Sequence, residues 1–270
     1  MNNFLQRILT GILFVIVVAG GIIYHPFAYF VVFFLVVIAG IYELNNMLTK
    51  VDVKINFLTS LSLGVFIYLA VFLVNSGISQ SSIYYLIIPL VSLIFISELF
   101  NPQSKPLSNI GSSLLGAVYL GASFAMMHVL GFQDGVYNYK LPLSVFILVW
   151  VNDSGAYVSG ISIGKHKFFE RISPKKTWEG TIGGFVFTLI GAYIISLYWT
   201  ELNSTQWIIF GGIISVMAAL GDLVESMFKR HIGIKDSGNI LPGHGGILDR
   251  FDAVIFALPM AVFYIKFFVG

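Results

Sequence analysis

Apolar runs of about 17–25 residues, separated by short polar or turn-forming stretches, fill almost the whole of this 270-residue chain, and that is the length an α-helix needs to cross a hydrocarbon core of about 30 Å. The pattern predicts nine spans, at 8–24, 27–48, 55–75, 83–100, 107–130, 141–160, 181–199, 207–228 and 252–269. The fifth is the weakest, because Ser and Gly dilute it, but it carries no charged residue. The first follows Arg7 and has the length of a signal-peptide core. It lacks a small-x-small cleavage pattern with a polar flank, so it reads as a retained helix. With no repeat, heptad array or low-complexity linker, residues 1–270 read as a single integral membrane domain. The expected class is an all-α polytopic membrane protein, with 1–140 mainly scaffold helices and 141–270 carrying the chemistry.

Composition sharpens this picture. Hydrophobic residues make up 57% of the chain and charged residues 10%, which excludes an ordinary soluble domain. The absence of Cys removes disulfides, thiolate nucleophiles and Cys-ligated zinc or iron–sulfur centres, and the five His form no HExxH pair. Charge placement also tests the span count, since Lys and Arg concentrate in cytoplasmic loops. Thirteen of the fifteen Lys and Arg residues fall before the first span or in the even-numbered loops. Only Lys140 and Lys266 fall on the other side. That split predicts nine spans with a cytoplasmic amino terminus and an outward carboxyl terminus.

Two of the cytoplasmic loops are long and polar, 161–180 and 229–251. Five carboxylates border them at similar depth. Asp153 lies in the cytoplasmic part of the sixth span, Asp222 and Glu225 in that of the eighth, and Asp249 and Asp252 open the ninth. Asp222, Glu225, Ser226 and Lys229 fall at i, i+3, i+4 and i+7 and so share one helical face. An ionisable group at membrane depth costs about 2.5–3.5 kcal/mol or more, so a cluster of them marks a functional site. Facing carboxylates repel unless cations neutralise them. An all-oxygen donor set suits Mg²⁺, which takes one or two carboxylates and substrate phosphates. The cations at 165, 167, 175, 176, 229, 230, 235 and 250 exceed what the acids require, and a polyphosphate fits the surplus. The PGHGG turn at 242–246 offers flexible backbone amides to phosphate, or simply turns the chain before the ninth helix. No GxxxxGK[ST] P-loop is present.

The residues Ser226-x-Phe228-Lys229-Arg230, Lys235-Asp236-x-Gly238, Leu241-Pro242-x-His244-Gly245-Gly246 and Asp249-Arg250-x-Asp252 resemble the signature of the phosphatidate cytidylyltransferases (CDP-diacylglycerol synthases). Asn152-Asp153-Ser154-Gly155-Ala156-Tyr157, Ser173-Pro174-Lys175-Lys176-Thr177-Trp178-Glu179-Gly180 and Gly221-Asp222-Leu223-Val224-Glu225-Ser226 are similar to that family too. The likeness covers about 150–252, whereas the first 140 residues match only in being hydrophobic helices. It implies the reaction of CTP with phosphatidate to give CDP-diacylglycerol and pyrophosphate, with Mg²⁺ and a second, monovalent cation such as K⁺. It further implies Asp222 and Asp249 as principal metal ligands, with Asp252 and Asp153 beside them. Lys175, Lys176, Lys229, Arg230 and Arg250 would hold phosphates, and His244, Gly245 and Gly246 would shape the phosphate pocket. Asn152, Ser173, Ser226 and Lys235 complete the expected substrate contacts. The expected setting is a bacterial cytoplasmic membrane with the site facing the cytoplasm. Membrane lipids are expected partners, together with a second copy bound through the amino-terminal helices, and nucleic acid is not.

Structural readings stand beside these. Lys165, Lys167 and Arg171 suit positive-inside and anionic-lipid roles. Glu225 and Lys229 can pair at i, i+4, and Lys235 can pair with Asp236. Glu43 and Glu98 sit near cytoplasmic span ends and read as solvated or capped, and His25 and His128 as interface or packing residues. Glycines 160, 164, 180 and 184 have spacing suited to close helix contact. A transporter with a cytoplasmic-side polar cavity is the rival class. Transporters usually place ionisable groups near the midplane within repeats, and neither feature is found here. A lipid phosphotransferase acting on a CDP-lipid would carry a DG…AR…G…D…D arrangement, which is absent.

Overall fold

A computed structural model describes residues 3–51, 53, 56–101, 105–240 and 245–269, with side chains from residue 9 onward. The helices are α1 (Asn3–Tyr24), α2 (Pro26–Leu48), α3 (Phe57–Asn75), α4 (Ile87–Leu99), α5 (Pro106–Gly116), α6 (Ser123–Gly131), α7 (Lys140–Ile163), α8 (Trp178–Ser196), α9 (Ser204–Ile232) and α10 (Leu248–Tyr264). Among the described residues there are also two hairpins: β1 (Phe132–Gln133) with β2 (Val136–Tyr137), and β3 (Lys167–Phe169) with β4 (Ser173–Thr177). Among the described residues eight helical stretches are long and apolar enough to cross a membrane, and Leu9–Tyr24 is a shorter apolar helix in the position of the first expected span. The chain is an all-α polytopic membrane protein. It divides into two units, Met1–Asn138 with Ile232–Arg250, and Tyr139–His231 with Phe251–Gly270.

Local signals explain the helix starts of the first unit. Pro26 opens α2 where its missing N–H is no loss, and the ring Nδ1 of His25 accepts from Phe27 N at 3.1 Å. Asn56 caps α3 by accepting from Thr59 N at 3.3 Å. The weak fifth span is α5 and α6 joined by a π-helical stretch, Ala117–Ala122. Gly121 sits against α3 there so closely that a Cβ on it would lie 2.6 Å from Gly64 Cα. His128 on α6 is fully buried among Tyr29, Phe30, Tyr68 and Phe72, a packing role as expected. Asp134-Gly135 turns the first hairpin with both residues at positive φ, the backbone a two-residue type I′ turn requires.

In the second unit α7 and α8 pack along their length through small residues. A Cβ on Gly180 would lie 2.9 Å from Ala156 O, and one on Gly184 2.8 Å from Asn152 O. The glycine spacing therefore means close helix packing. On its outer side α8 presents Ile182, Val186, Ile190 and Ile194 at four-residue intervals, an apolar stripe suited to lipid.

Three boundaries differ from the sequence reading. The 161–180 loop contains the β3–β4 hairpin, because Phe168, Ile172 and Trp178 give a short polar segment an apolar side. Helix α9 runs on to Ile232 and takes Lys229 and Arg230 into its last turn, where cations complement the helix dipole. Helix α10 begins at Leu248, so Asp249 occupies a first helical turn, where an acid is favoured. Replacing Gly121 by Ala should destabilise the protein by about 1–3 kcal/mol, as over-packed sites do. Gly111→Ala, at a position with open space around it, should not. Thermal unfolding of the two variants in detergent checks the difference.

Candidate active site

In the second unit a pocket of about 430 Å³ is lined by Asn152, Asp153 and Tyr157 of α7, Lys175 and Lys176 of β4, and Asp222 of α9. Asn152 is buried. Its Oδ1 accepts from Ser215 Oγ at 2.6 Å and its Nδ2 donates to Asp153 Oδ1 at 3.3 Å. Its amide thus fixes the neighbouring carboxylate and anchors α7 to α9. Lys176 Nζ lies 2.7 Å from Asp222 Oδ2 and 3.4 Å from Ala219 O, so it bridges the hairpin to α9. The other oxygen of Asp222 accepts from Ser226 Oγ at 3.2 Å, one helical turn on. Lys175, exposed on the same strand, faces the pocket.

The hairpin that carries these lysines is held at its root. Thr177 Oγ1 accepts from Gly180 N at 3.1 Å and caps α8. The Glu179 carboxylate accepts from the amides of Lys165 at 3.1 Å and His166 at 3.2 Å, and its Oε1 lies 2.5 Å from His166 Nδ1. Ser173 pairs with Phe169 across the strands, and Arg230 Nε donates to Ile172 O at 3.3 Å. Lys229 forms an ion pair with Glu225, which is 1% exposed. Asp252, half-buried on α10, lies close enough to Asp222, Glu225 and Asp153 to feel their charges. Gly221 lets α9 and α10 meet at this point, since a Cβ on it would lie 2.5 Å from Asp252 O. Four of the five acids expected from the sequence therefore gather in this unit. Among the described residues no three His, Asp or Glu groups form a ready-made metal cage.

The fifth acid belongs to the first unit. Asp249 Oδ2 accepts from Ser237 N at 2.9 Å, Ser237 Oγ at 3.0 Å and Gly246 N at 2.8 Å. It ties together the two ends of the segment before α10. Gly245 has φ +87°, a conformation suited to glycine, and Gly246 lies against Ser237 and Glu43 with no room for a Cβ. Lys235 and Asp236 are exposed and form no ion pair with each other. Arg250 is exposed, and its backbone N donates to Ile247 O at 3.1 Å. His244, with residues 241–243, lies outside the described residues.

Sequence reasoning missed Ser215, Ser237 and the anchoring role of Glu179. It also underrated Glu43, which is 2% exposed rather than solvated. Glu43 accepts from Leu248 N at 3.0 Å and Ser237 Oγ at 3.2 Å. A signal was available, for Glu43 is the sole acidic residue of the first 51. Glu98 is also buried, and accepts from Asn109 Nδ2 at 3.1 Å.

Helices of spanning length, with a pocket of mixed acids and lysines in the second unit, define a polytopic membrane protein. The sequence profile of the Cytidylyltransferase family matches residues 5–268, and the chain belongs to that family. Among its relatives, the phosphatidate cytidylyltransferase of Staphylococcus haemolyticus (strain JCSC1435) is 46% identical over 149 residues, 54% of this chain and 55% of the relative. The proteins of the same name from Staphylococcus aureus (strain COL) and Staphylococcus saprophyticus are 47% and 44% identical over the same shares. The chain spans about half the length of the curated relatives it matches. Replacing Glu179 by Ala should speed hydrogen exchange at the Lys165 and His166 amides. An equivalent change at exposed Glu170 should leave them unaltered.

Proposed function

We propose that this chain is a phosphatidate cytidylyltransferase, transferring the cytidylyl group of CTP to phosphatidate with release of pyrophosphate. The observation that carries the reading is a pocket in which Lys175 and Lys176 of the hairpin converge with Asp153 of α7 and Asp222 of α9. Family membership and the relatives' names support it. An oxygen of the lipid phosphate bonds to the α-phosphorus of CTP in line. The bond from that phosphorus to the bridging oxygen breaks, and the electron pair leaves with pyrophosphate. The lipid phosphate is already anionic at neutral pH, so the protein need supply neither a covalent nucleophile nor an obligatory base. Catalysis then rests on positioning and charge stabilisation.

Lys175 and Lys176 are placed to bind phosphate oxygens. Lys176 is shared with Asp222, so an incoming phosphate competes with that carboxylate for its ammonium. Asn152 holds Asp153 in orientation through its amide, and Arg230 steadies the hairpin turn. Lys229, paired with buried Glu225, stabilises the wall behind Asp222. Asp249 holds the backbone of Ser237 and Gly246 in place.

The donor set is all oxygen, as Mg²⁺ prefers: in the second unit Asp222, Asp153 and Asp252 would hold such an ion, and in the first unit the Asp249 carboxylate would serve a cation as well. When bound it supplies Lewis-acid stabilisation of charge on the phosphates. A second, monovalent cation such as K⁺ belongs to the same proposal, as does a homodimer. The loop cations further suggest a site facing the cytoplasm, in a bacterial cytoplasmic membrane.

In detergent–phosphatidate micelles, label from α-labelled CTP should enter a chloroform-soluble lipid only when phosphatidate and Mg²⁺ are both present. Folded protein that transfers no label across varied metals and lipids overturns the reading. Asp249→Asn should lower turnover by about a hundredfold while the protein stays folded, since an amide oxygen can still accept from the loop amides. Because the chain has no Cys, sidedness can be read by substitution. Glu170→Cys should react with an impermeant maleimide from the cytoplasmic side, and Thr205→Cys from the opposite side.

A further inference from the structure

Helix α2 belongs to the part of the chain with no sequence motif, yet one of its side chains is built into the motif-bearing segment 236–249. Glu43 lies 2% exposed near the end of α2. Its Oε2 accepts both from Leu248 N at 3.0 Å and from Ser237 Oγ at 3.2 Å. The backbones of Gly238 and Gly246 close over the same carboxylate, and a Cβ on either would collide with it. The side chain thus touches residues on both sides of positions 241–244 at once.

Ser237 adds a further link. Its hydroxyl is 3.2 Å from Glu43 Oε2 and 3.0 Å from Asp249 Oδ2. A hydroxyl has one hydrogen to donate, so the two acids compete for it. Whenever Glu43 takes that hydrogen, Asp249 keeps more acceptor capacity for another partner. Burying a carboxylate is unfavourable unless its oxygens are satisfied, and Glu43 Oε1 accepts no hydrogen bond among the described residues. An apolar residue would pack the helix with no such penalty. The acid therefore has a role other than packing.

We propose that Glu43 is a positioning residue for the cytidylyl transfer. It clamps the limbs carrying Ser237 and Leu248, and thereby sets the geometry of Asp249 and of the Gly246 amide. The turnover arm of its test rests on the function proposed above, whereas the structural arm does not.

Hydrogen exchange at the amides of Ser237, Gly246 and Leu248 is measured in detergent without substrates, and cytidylyl transfer is measured on the same preparations. Glu43→Ala is expected to speed exchange at these amides by about tenfold and to lower kcat by about tenfold or more. Glu43→Gln should restore both to within about threefold, because an amide oxygen in the place of Oε2 still accepts from Leu248 N and from the Ser237 hydroxyl. Wild-type exchange in Glu43→Ala overturns the proposal. So does a Gln variant as slow as Ala but with undisturbed exchange, which would mean that the charge acts directly. If Glu43→Ala does not fold, Ser237→Ala decides: faster exchange at Gly246 with slower turnover supports the clamp, and unchanged values overturn it. If the unaltered protein transfers no cytidylyl group, the proposed function fails, and exchange alone judges Glu43.

Discussion

A carboxylate carried on an apolar helix has little water to turn to, so the protein itself must supply its donors or cations. Much of the chain's irregular structure follows from how that demand is met. Asp222 draws Lys176 across from the hairpin, Glu225 takes Lys229 from its own helix, and Asp249 collects the amides of Ser237 and Gly246. Glu43 reaches Leu248 and Ser237 from a helix about two hundred residues away in sequence. Asp222, Asp249 and Glu43 thereby fix segments that have too few apolar side chains to fix themselves.

The acids fall into two working groups. Glu179, Asp249 and Glu43 accept mainly from backbone amides and hold loops in place. Charge-assisted bonds of this kind are stronger than neutral ones, which suits them to anchoring polar segments. Asp153, Asp222 and Asp252 lie around the pocket or within reach of its charges, where Lys176 pairs with Asp222. A phosphate-bearing ligand would redistribute these pairs, because Lys176 cannot serve Asp222 and a polyphosphate equally. The Lys176–Asp222 ion pair offsets one charge of each sign within the pocket.

Close helix packing sets where these groups stand. At the α7–α8 seam, small residues bring two backbones together and put Asn152 and Asp153 beside the root of the lysine-bearing hairpin. The contact of Gly221 with Asp252 does the same for α9 and α10. In the first unit the Gly64–Gly121 approach coincides with a π-helical stretch. A bulge of this kind lets one helix shift its face partway along.

Span positions were legible because spanning length and hydropathy are local properties. The family was legible because its motifs are runs of neighbouring residues, such as Lys175-Lys176 and Asp249-Arg250. Helix periodicity also showed that Asp222, Glu225 and Ser226 share a face, and that Glu225 and Lys229 could pair. Three-dimensional packing decided which polar group answers which. That Lys176 meets Asp222, that Asn152 is held by Ser215, and that Glu43 clamps the segment around Ser237 and Leu248 all depend on contacts between distant parts of the chain. No spacing along a sequence encodes such contacts, since a side chain's partner is fixed only when helices meet and exclude the solvent that would otherwise satisfy it.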